Sequence, residues 1–545
     1  MNPLLQRELE RVAHHLGGAD ATFVLERPRE AGHGDLATNL AMVLAKPLRS
    51  NPRVVAERIL SEITLPAGVI TRAEIAGPGF INFWLADAEL AGAVRGIIEQ
   101  GDRYGRSTAG AGRRVNVEFV SANPTGPLHV GHGRGAALGD ALASLLEWTG
   151  HEVVREFYIN DAGVQIDRVV ASLWARIQQA RGQTASIPEG GYHGEYLVEA
   201  AAEANATLPP EVLAGGFDAA AKPLRRFILE HQRAEQDQLL ADFGARFDVH
   251  VSEQSVYDSG AIEATLKDLA DRDLIFESDG ALWLRTSDFG DDKDRVLRKS
   301  DGSYTYLVPD LAYHRDKHER GFGLIIDVWG ADHHGYIPRM RASLAALGYP
   351  ADFFEVAMVQ LVKVMRGGGE VRMSKRAGDF VTLRELLDWV GTDAARYFFL
   401  MRRGDTPFVF DVDLAQKQTD ENPVFYVQMA HARMSGIFRV ADRNPEAVGA
   451  DLDLDALPAP QDAELIKALI QFPETVARAA VEREPHRITS YLEDLARISH
   501  GWYHHCRVLG EPPATERSRL VLARAARIVL ANGLTLLGLT APDRM

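Results

Sequence analysis

The sequence contains a single cysteine, Cys506, among 545 residues. One thiol can form neither an intramolecular disulfide nor a cysteine-based zinc cluster, so both are excluded, and we expect Cys506 to be a packed helix residue. No apolar run reaches the roughly 18 residues needed to cross a bilayer, and the first residues lack the apolar stretch of a signal peptide. We therefore expect a cytoplasmic protein with no membrane segment.

Basic residues are outnumbered by acidic ones, and the formal net charge is −16. Proteins that coat nucleic acid non-specifically depend on phosphate contacts, so this charge argues against that class but leaves room for a local basic groove. Dispersed basic pairs are more often solvated surface than part of such a groove. The pairs in this chain are Arg113-Arg114, Arg225-Arg226, Lys375-Arg376 and Arg402-Arg403.

The order of strand-like and helix-like patterns predicts three domains in a chain of ordinary globular composition. Residues 1–110 predict a small α+β domain that ends at a glycine-rich break. Residues 111–385 alternate strands and helices, which predicts an α/β domain with a doubly wound, Rossmann-like parallel sheet and a helical insertion near 180–285. From about Thr382 onward the pattern becomes helical, so an all-helical domain is expected at 386–545.

Two histidines lie at a predicted junction between a strand and a helix. Residues 114–120 have a strand pattern, residues 136–148 have a helix pattern, and Pro127-Leu128-His129-Val130-Gly131-His132 lies between them. A helix N-terminus favours phosphate because of its N–H groups and its dipole, and the imidazoles of His129 and His132 can donate to phosphate oxygens. Taken alone, the segment could equally be a helix-start turn with one buried and one surface histidine.

Two glycines and a distant lysine complete the predicted phosphate site. Gly131 and Gly133 would let a nucleotide approach the backbone. Lys375 lies between Arg372 and Arg376 and follows three consecutive glycines, so it could close over a triphosphate from the other side. Cations placed in this way accelerate nucleotidyl transfer by neutralising the charge that develops on phosphorus. The sequence thus predicts a split ATP site.

These two segments resemble the signature sequences of the class I aminoacyl-tRNA synthetases, His-x-Gly-His and Lys-Met-Ser-Lys-Ser. Val130 replaces the usual isoleucine, and Arg372-Met373-Ser374-Lys375-Arg376 departs from the family pattern at its first and last positions. Further stretches resemble arginyl-tRNA synthetase of the bacterial type over most of the chain. They are residues 33–40, 117–123, 157–165, 288–297, 329–335, 422–428 and 541–545.

The resemblance implies an enzyme that activates arginine with ATP and transfers it to the terminal adenosine of the arginine tRNA. His129, His132 and Lys375 would be the catalytic residues, and Mg²⁺ would arrive with ATP. Asp332, His333 and His334 also have the chemistry of metal ligands, yet no bound structural metal is expected. The residues implied to contact ATP are His129, Gly131, His132, Gly330, Asp332, His333, Met373 and Lys375.

The guanidinium of an arginine substrate needs a carboxylate and other acceptors in its plane. Tyr306 and Asp310 lie where the family's tyrosine and aspartate bind this group. Pro309 is expected to keep Val308 out of α-helical geometry, which predicts a loop or a helix entry. From spacing alone, the alternative is a surface turn with a packed tyrosine.

The α-ammonium of the substrate needs an anion, and Glu118 with Asn123 occupy the family's positions for that contact. An unpaired carboxylate in a sheet buried on both faces would be costly, so Glu118 either pairs with the substrate or lies on an edge strand that faces solvent. Tyr158, Asp161 and Gln165 are expected to complete this pocket.

The resemblance also implies that the helical domain binds the anticodon and that the N-terminal domain touches the tRNA corner. Asn422 and Pro423 predict a helix start, and Tyr426 is the predicted anticodon contact, although aromatic residues in helices more often belong to the core. We expect a monomer whose arginine activation depends on bound tRNA. Two other interpretations remain: a non-catalytic RNA-binding relative, and a class I synthetase for another amino acid.

Overall fold

A computed structural model describes residues 3–18, 21–26, 28, 33–65, 67–161, 163–371 and 381–545. Within these ranges, no helix is both long enough and apolar enough to span a bilayer. Cys506 is buried directly after a helix, close to the packed position expected from the sequence.

The N-terminal domain is a four-stranded antiparallel sheet with three helices. Its elements are α1 (Pro3–His15), β1 (Leu25–Glu26), β2 (Leu36–Thr38), α2 (Leu40–Ala45), α3 (Pro52–Glu62), β3 (Ile70–Ala76) and β4 (Phe80–Leu85). The strand order is β1-β2-β4-β3. On α1, Leu5, Leu9 and Val12 form a buried stripe at helical spacing. Asn51 starts α3 by accepting a hydrogen bond from the N–H of Arg53, as an N-cap does.

The middle of the chain carries the elements of the main sheet and the helices around it. They are α4 (Asp87–Gln100), β5 (Arg114–Glu118), α5 (Val130–Trp148), β6 (Glu152–Ile159), α6 (Val164–Ala180), α7 (Tyr196–Thr207), α8 (Pro210–Ala214), α9 (Phe217–Asp242), β7 (Val249–Ser252), α10 (Glu253–Asp258), α11 (Ala261–Asp271), β8 (Ile275–Ser278), β9 (Ala281–Leu284), β10 (Arg295–Arg298), α12 (Leu307–Glu319), β11 (Leu324–Gly330), α13 (Ile337–Ala346), β12 (Phe354–Val359), β13 (Val362–Arg366) and β14 (Gly369–Glu370).

The main sheet is parallel and five-stranded, in the order β12-β11-β5-β6-β7. The strand order reverses between β5 and β11, so a crevice opens at the carboxyl ends of these two neighbouring strands. The doubly wound fold class expected from the sequence is confirmed. Within the stretch expected as a helical insertion, α7 to α9 are helical, but β7 is an edge strand of the main sheet and β8 to β10 form a small antiparallel sheet.

The rest of the chain is mainly helical. Its elements are α14 (Leu383–Val390), α15 (Thr392–Leu400), β15 (Phe408–Asp411), α16 (Val412–Ala415), α17 (Pro423–Val440), α18 (Pro460–Leu469), α19 (Phe472–Glu482), α20 (His486–His505) and α21 (Pro513–Leu536). Strand β15, which pairs in parallel with β13, interrupts the helical pattern expected from about Thr382, whereas the described elements from α17 onward are helices, and the helical C-terminal domain is confirmed. Phe408 and Phe410 are buried on one face of this strand. The domain bounds themselves stay predictions.

Several polar contacts join the N-terminal part of the chain to the helical part. The buried carboxylate of Asp35 lies 2.5 Å from the ammonium of Lys467 on α18. Glu26 lies 3.7 Å from Arg478 on α19, and both of these side chains are largely exposed. Asn532 on α21 donates hydrogen bonds to the carbonyl groups of Gly101 and Tyr104, which follow α4.

Candidate active site

The two predicted phosphate-binding histidines lie at the start of α5, at the end of the sheet where β5 finishes. Nδ1 of His129 accepts hydrogen bonds from the backbone N–H groups of Gly131 (3.0 Å) and His132 (3.4 Å). Nδ1 of His132 accepts one from the N–H of His129 (3.2 Å), and the two rings stack 3.7 Å apart. Both side chains are half-buried, so the alternative of one buried and one surface histidine does not describe this turn.

The protonation state of these histidines follows from their contacts. Burial, with a smaller contribution from His129, lowers the pKa of His132 to about 3, so this imidazole is neutral at physiological pH. Because Nδ1 accepts a backbone N–H in both rings, the proton of a neutral ring lies on Nε2. Each ring therefore has the tautomer that can donate a hydrogen bond to a phosphate oxygen.

The two glycines of this turn have different roles. A Cβ on Gly131 would lie 2.9 Å from the ring of His129, so glycine lets that ring fold back over the helix start. A Cβ on Gly133 would lie 2.6 Å from Leu383 and 3.2 Å from Phe399. Gly133 thus permits close helix packing, and the expectation that it faces a nucleotide was wrong.

The predicted catalytic lysine, Lys375, lies outside the described residues, as do Arg372, Met373 and Arg376. The chain just after them is placed beside the histidine turn. The N–H of Val130 donates to the carbonyl of Val381 (3.2 Å), and the N–H of Leu383 donates to the carbonyl of Leu128 (2.8 Å). His129 and Thr382 form an antiparallel bridge between these two bonds.

A buried arginine ties the same helix to the small sheet that leads into the lysine segment. Arg134 on α5 donates hydrogen bonds to the carbonyl groups of Gln360 (3.0 Å), Arg403 (2.8 Å) and Thr406 (2.9 Å). These residues flank β13 and β15. The two predicted halves of the ATP site are therefore anchored to each other on both sides of the residues that are not described.

Across the crevice, β11 ends at Gly330 and a 3-10 helix, Ala331–Tyr336, follows. The side chains of Asp332 and His333 are 81% and 61% exposed, with Nε2 of His333 lying 3.7 Å from Asp332. Both can therefore reach a ligand held at the strand ends. Over the ranges described, no group of three His, Cys, Asp or Glu side chains has the geometry of a metal site.

Glu118, the predicted partner of the α-ammonium, is the last residue of β5 and is 8% exposed. Because β5 is a central strand, the alternative of a solvent-facing edge strand was wrong. Oε1 of Glu118 accepts a hydrogen bond from the hydroxyl of Ser121 (2.8 Å). Oε2 lies 2.6 Å from the ammonium of Lys317 and 2.8 Å from the hydroxyl of Tyr313. The protein itself therefore supplies a cation for this carboxylate.

The backbone just after Glu118 is strained. Val120 has φ 69° and Ser121 has φ 41°, in the left-handed region that L side chains rarely adopt and that is least favourable for a β-branched residue. This turn brings the hydroxyl of Ser121 onto Glu118 and within 3.2 Å of the N–H of Tyr158. Strain of this kind persists where the surrounding structure enforces it, commonly at functional sites.

Asp310, the predicted guanidinium partner, lies in the first turn of α12. Its Oδ2 accepts a hydrogen bond from the hydroxyl of Tyr336 (2.8 Å), and burial raises its pKa to about 6. Tyr306 precedes the helix and is 81% exposed. The helix entry expected around Pro309 is present, but Val308 is helical, because a proline in the first turn removes no intrahelical hydrogen bond.

A second carboxylate lies near Asp310. Burial raises the pKa of Glu253, at the start of α10, to about 7, and the negative charges of Asp310 and Asp161 add to the effect. The phenol of Tyr158 is within electrostatic range of Glu253, Asp310 and Glu118, and its buried hydroxyl oxygen has no hydrogen-bond partner among the described residues. These acids repel one another, so a cation close to them would be favourable.

The remaining predicted pocket residues are close to this cluster, with partners of their own. Both carboxylate oxygens of Asp161 accept hydrogen bonds from the hydroxyl of Ser252, so this side chain holds β7 and the start of α10 in place. The amide of Asn123 donates to Gln165 at a distance of 2.6 Å. Asn123 and Gln165 thus join the loop after β5 to the start of α6.

Comparison with known proteins decides the family. The family described as "tRNA synthetases class I (R), catalytic domain" matches residues 93–434, which is more than half of the chain. The family "Arginyl tRNA synthetase N terminal domain" matches residues 2–85, and the "DALR anticodon binding domain" matches residues 427–545. The chain belongs to the arginyl-tRNA synthetase family.

Individual relatives of this arginyl-tRNA synthetase chain agree over its full length. A protein named arginine--tRNA ligase from Desulforudis audaxviator is 49% identical, over 97% of this chain and 94% of the relative. One of the same name from Moorella thermoacetica is 49% identical over 96% and 94%. The solved arginyl-tRNA synthetase of Thermus thermophilus has a TM-score of 0.80 at 25% identity and covers 100% of both chains. The predicted family and its class of activity are confirmed, whereas the roles of single residues stay predictions.

In this synthetase chain the predicted anticodon residue, Tyr426, lies in the first turn of α17. Its ring is half-buried and packs 4.5 Å from the ring of His500, and its carbonyl accepts a hydrogen bond from Nε2 of His500 (3.0 Å). Asn422 is the N-cap position, as predicted, but its amide donates to the carbonyl groups of Ala415 and Lys417 instead of capping the helix with its oxygen.

Sequence reasoning missed three polar residues that support the synthetase site. Lys317 pairs with Glu118, Glu253 lies beside Asp310, and Gln236 on α9 donates to the carbonyl groups of Asn123 and Gly126. Only Lys317 had a usable sequence signal, because it lies seven residues after Asp310 and so on the same face of one helix. The other two come from elements remote in sequence.

Proposed function

We propose that the chain attaches arginine to the 3′-terminal adenosine of the arginine tRNA at the crevice between β5 and β11. The carboxylate of arginine attacks the α-phosphate of ATP, pyrophosphate leaves, and the arginyl group of the resulting adenylate passes to the 2′-hydroxyl of the tRNA. One observation carries this proposal. The histidine turn, the exposed side chains of Asp332 and His333, and a group of acidic side chains lie at the same edge of the sheet.

For the ATP half of the reaction, the chain supplies hydrogen-bond donors and positive charge. His129 and His132 donate from Nε2 to phosphate oxygens, and Lys375 neutralises the charge that grows in the transition state. Asp332 and His333 lie on the opposite side of the crevice, where the ribose and base of ATP fit the doubly wound geometry. Magnesium accompanies the triphosphate as part of the substrate.

For the arginine half, the pocket offers anions at both ends of the substrate. Asp310, Tyr306 and Glu253 bind the guanidinium, whose positive charge offsets the repulsion between the two carboxylates. Glu118 and Asn123 bind the α-ammonium. The hydroxyl of Tyr158, which has no partner among the described residues, is available to either group, because it is within electrostatic range of both Glu118 and Asp310.

For the tRNA, we infer that the helical domain reads the anticodon and that the N-terminal domain contacts the corner of the molecule. Tyr426 supports the first contact, because its partly exposed ring can stack on an unpaired base. We further infer that the enzyme acts in the cytoplasm as a monomer.

Exchange of labelled pyrophosphate into ATP across all twenty amino acids, with and without total tRNA, tests the reaction and the substrate together. We expect exchange with arginine alone, and only when tRNA is added. Exchange with another amino acid would contradict the pocket assignment. Folded protein that is silent with every amino acid, but still binds tRNA, would contradict the enzymatic function.

A further inference from the structure

Three carboxylates lie side by side across the centre of the main sheet. Glu156 on β6 is in register with Glu118 on β5, and Glu118 is in register with Asp327 on β11. They are 0%, 8% and 1% exposed. Neighbouring parallel strands bring in-register side chains to the same face, so this row concentrates three negative charges in the interior.

Helix α12 faces this row with a matching set of polar side chains. Arg320 lies 2.7 Å and 2.8 Å from the two oxygens of Glu156, and Nε2 of His314 lies 2.9 Å from Asp327. Lys317, which is fully buried, lies between them, 2.6 Å from Glu118 and 3.2 Å from Asp327. Each carboxylate of the row therefore has a basic partner on one helix.

Lys317 is charged despite its burial. Burial lowers its pKa, but the charges of Asp327, Glu118 and Glu156 outweigh that effect and raise the pKa to about 12. Lys317 makes the shorter of the two contacts to Oε2 of Glu118, and without it that oxygen would keep only the hydroxyl of Tyr313 as a donor among the described residues. The carboxylate would then be free to turn away from its present orientation.

Glu118 differs from its two neighbours because it ends its strand and opens onto the crevice. Lys317 and Tyr313 both contact Oε2, whereas Oε1 accepts from Ser121 alone within the part of the chain that is described. An ionised carboxylate has about four acceptor positions, so Oε1 retains one toward the pocket. Lys317 thus holds Oε2 of Glu118 from the α12 side of the sheet, and Oε1 is left for a ligand.

We propose that Lys317 is a positioning residue, which holds Oε2 of the Glu118 carboxylate and so aims its Oε1 at the α-ammonium of arginine. This inference rests on the proposed function, in which Glu118 holds that ammonium. Asp310 precedes Lys317 by seven residues, or about 10 Å along the helix axis. One rigid helix then contributes to the recognition of both ends of the substrate, through Asp310 directly and through Lys317 by way of Glu118.

The test compares arginine with desamino-arginine, which has hydrogen in place of the α-amino group and keeps the guanidinium and the carboxylate. Dissociation constants are measured by calorimetry on the full chain with tRNA present, for the wild type, Lys317→Met and Glu118→Gln. Arg320→Met is the matched control, because it removes a cation from the same helix that contacts Glu156 instead of Glu118. Melting curves verify that each variant is folded.

We expect Lys317→Met and Glu118→Gln each to raise the dissociation constant of arginine by about tenfold or more. The dissociation constant of desamino-arginine should change by less than about twofold in both variants. Arg320→Met should affect the two ligands equally. Equal weakening of both ligands by Lys317→Met, or none, would overturn the role of Lys317 if Glu118→Gln still discriminates. If Glu118→Gln itself does not discriminate, the ammonium site of the proposed function is wrong.

If Lys317→Met does not fold, Tyr313→Phe provides the second variant. It removes a hydroxyl that contacts Oε2 of Glu118 from the same side and adds no charge. We expect Tyr313→Phe to raise the dissociation constant of arginine by about threefold and to leave that of desamino-arginine unchanged. Equal effects on the two ligands would again contradict positioning of Glu118 from helix α12.

Discussion

Two residues of the proposed arginine pocket, Asp310 and Glu253, place like charges close together. The pKa values of Asp310 and Glu253 are raised to about 6 and about 7, so each resists ionisation where a guanidinium partner would require it. The same charges that lower the folding stability raise the affinity of the pocket for a cation. The conflict between stability and binding can be measured with single substitutions.

Asp310→Asn should stabilise the fold and weaken the binding of arginine. An acid with a raised folded-state pKa binds its proton more tightly folded than unfolded, so its charged form destabilises the protein. This loss of folding stability from the charged form of Asp310 is absent below about pH 4 and fully present above about pH 6. At pH 8 we expect a gain of about 2 kcal/mol in the free energy of unfolding, together with a higher KM for arginine.

Denaturant unfolding of both proteins at several pH values checks this, with Asp316→Asn on the exposed side of the same helix as control. The gain should shrink as the pH falls toward 4. A gain that persists at low pH, or an unchanged arginine KM, would remove Asp310 from the pocket.

Lys375→Ala should slow adenylate formation by about a hundredfold or more, because an ATP site that loses its cation loses stabilisation of the transition state. Single-turnover kinetics with arginine, ATP and tRNA measure the step. Lys363→Ala, at an exposed position on β13, is the control and should retain the wild-type rate. Affinity for tRNA should be the same in all three proteins, and an unchanged single-turnover rate for Lys375→Ala would refute the assignment.

At the scale of elements, helix α5 organises the site through small residues at its contacts. A Cβ at Gly139 would lie 2.2 Å from the ring of Phe119, which immediately follows Glu118. At Gly135, four residues earlier, the nearest atom would be a methyl of Val328 at 4.0 Å. The two glycines thus face different packing environments on the same helix.

Gly139→Ala should lower the free energy of unfolding by about 1 to 3 kcal/mol, since the helix or Phe119 must shift. Gly135→Ala should be neutral or stabilising by up to about 1 kcal/mol, because alanine is the better helix former. Urea titrations of both variants measure the difference. Equal effects would show that α5 is not held tightly against the end of β5.

Much of the site could be predicted from local patterns, and the remainder depends on contacts between remote segments. His129 and His132 were found because a strand pattern, a turn and a helix pattern follow one another directly. Helical spacing could have grouped Lys317 with Asp310, but its pairing with Glu118 could not be predicted, because the two residues lie almost two hundred residues apart and no local pattern encodes that pair. Strand β15 was missed because four residues between helices give too short an alternation, and its pairing with β13 decides its conformation.

At the scale of the whole molecule, the N-terminal domain is joined to the helical domain by two ion pairs of different character. Asp35 is buried where it meets Lys467, whereas Arg478 and Glu26 meet in solvent. Removing one partner of a buried pair leaves a charge without compensation, while an exposed pair contributes little.

Lys467→Ala should therefore loosen the docking of the N-terminal domain, and Arg478→Ala should not. Hydrogen exchange of β2, which follows Asp35 directly, should become about tenfold faster or more in the first variant alone. A higher KM for tRNA should accompany it. Equal exchange rates in the two variants would contradict a docking role for the buried pair.

The bridge between His129 and Thr382 also bears on how the protein is made. Nearly half of the chain separates the two residues. A ribosome must therefore proceed well beyond the middle of the message before the histidine turn meets its neighbouring strand. The segment after α4 is completed later still, because Asn532 on α21 donates hydrogen bonds to the carbonyl groups of Gly101 and Tyr104. Prematurely released products would contain both histidines and no assembled nucleotide site, so incomplete synthesis would not yield a partly active synthetase.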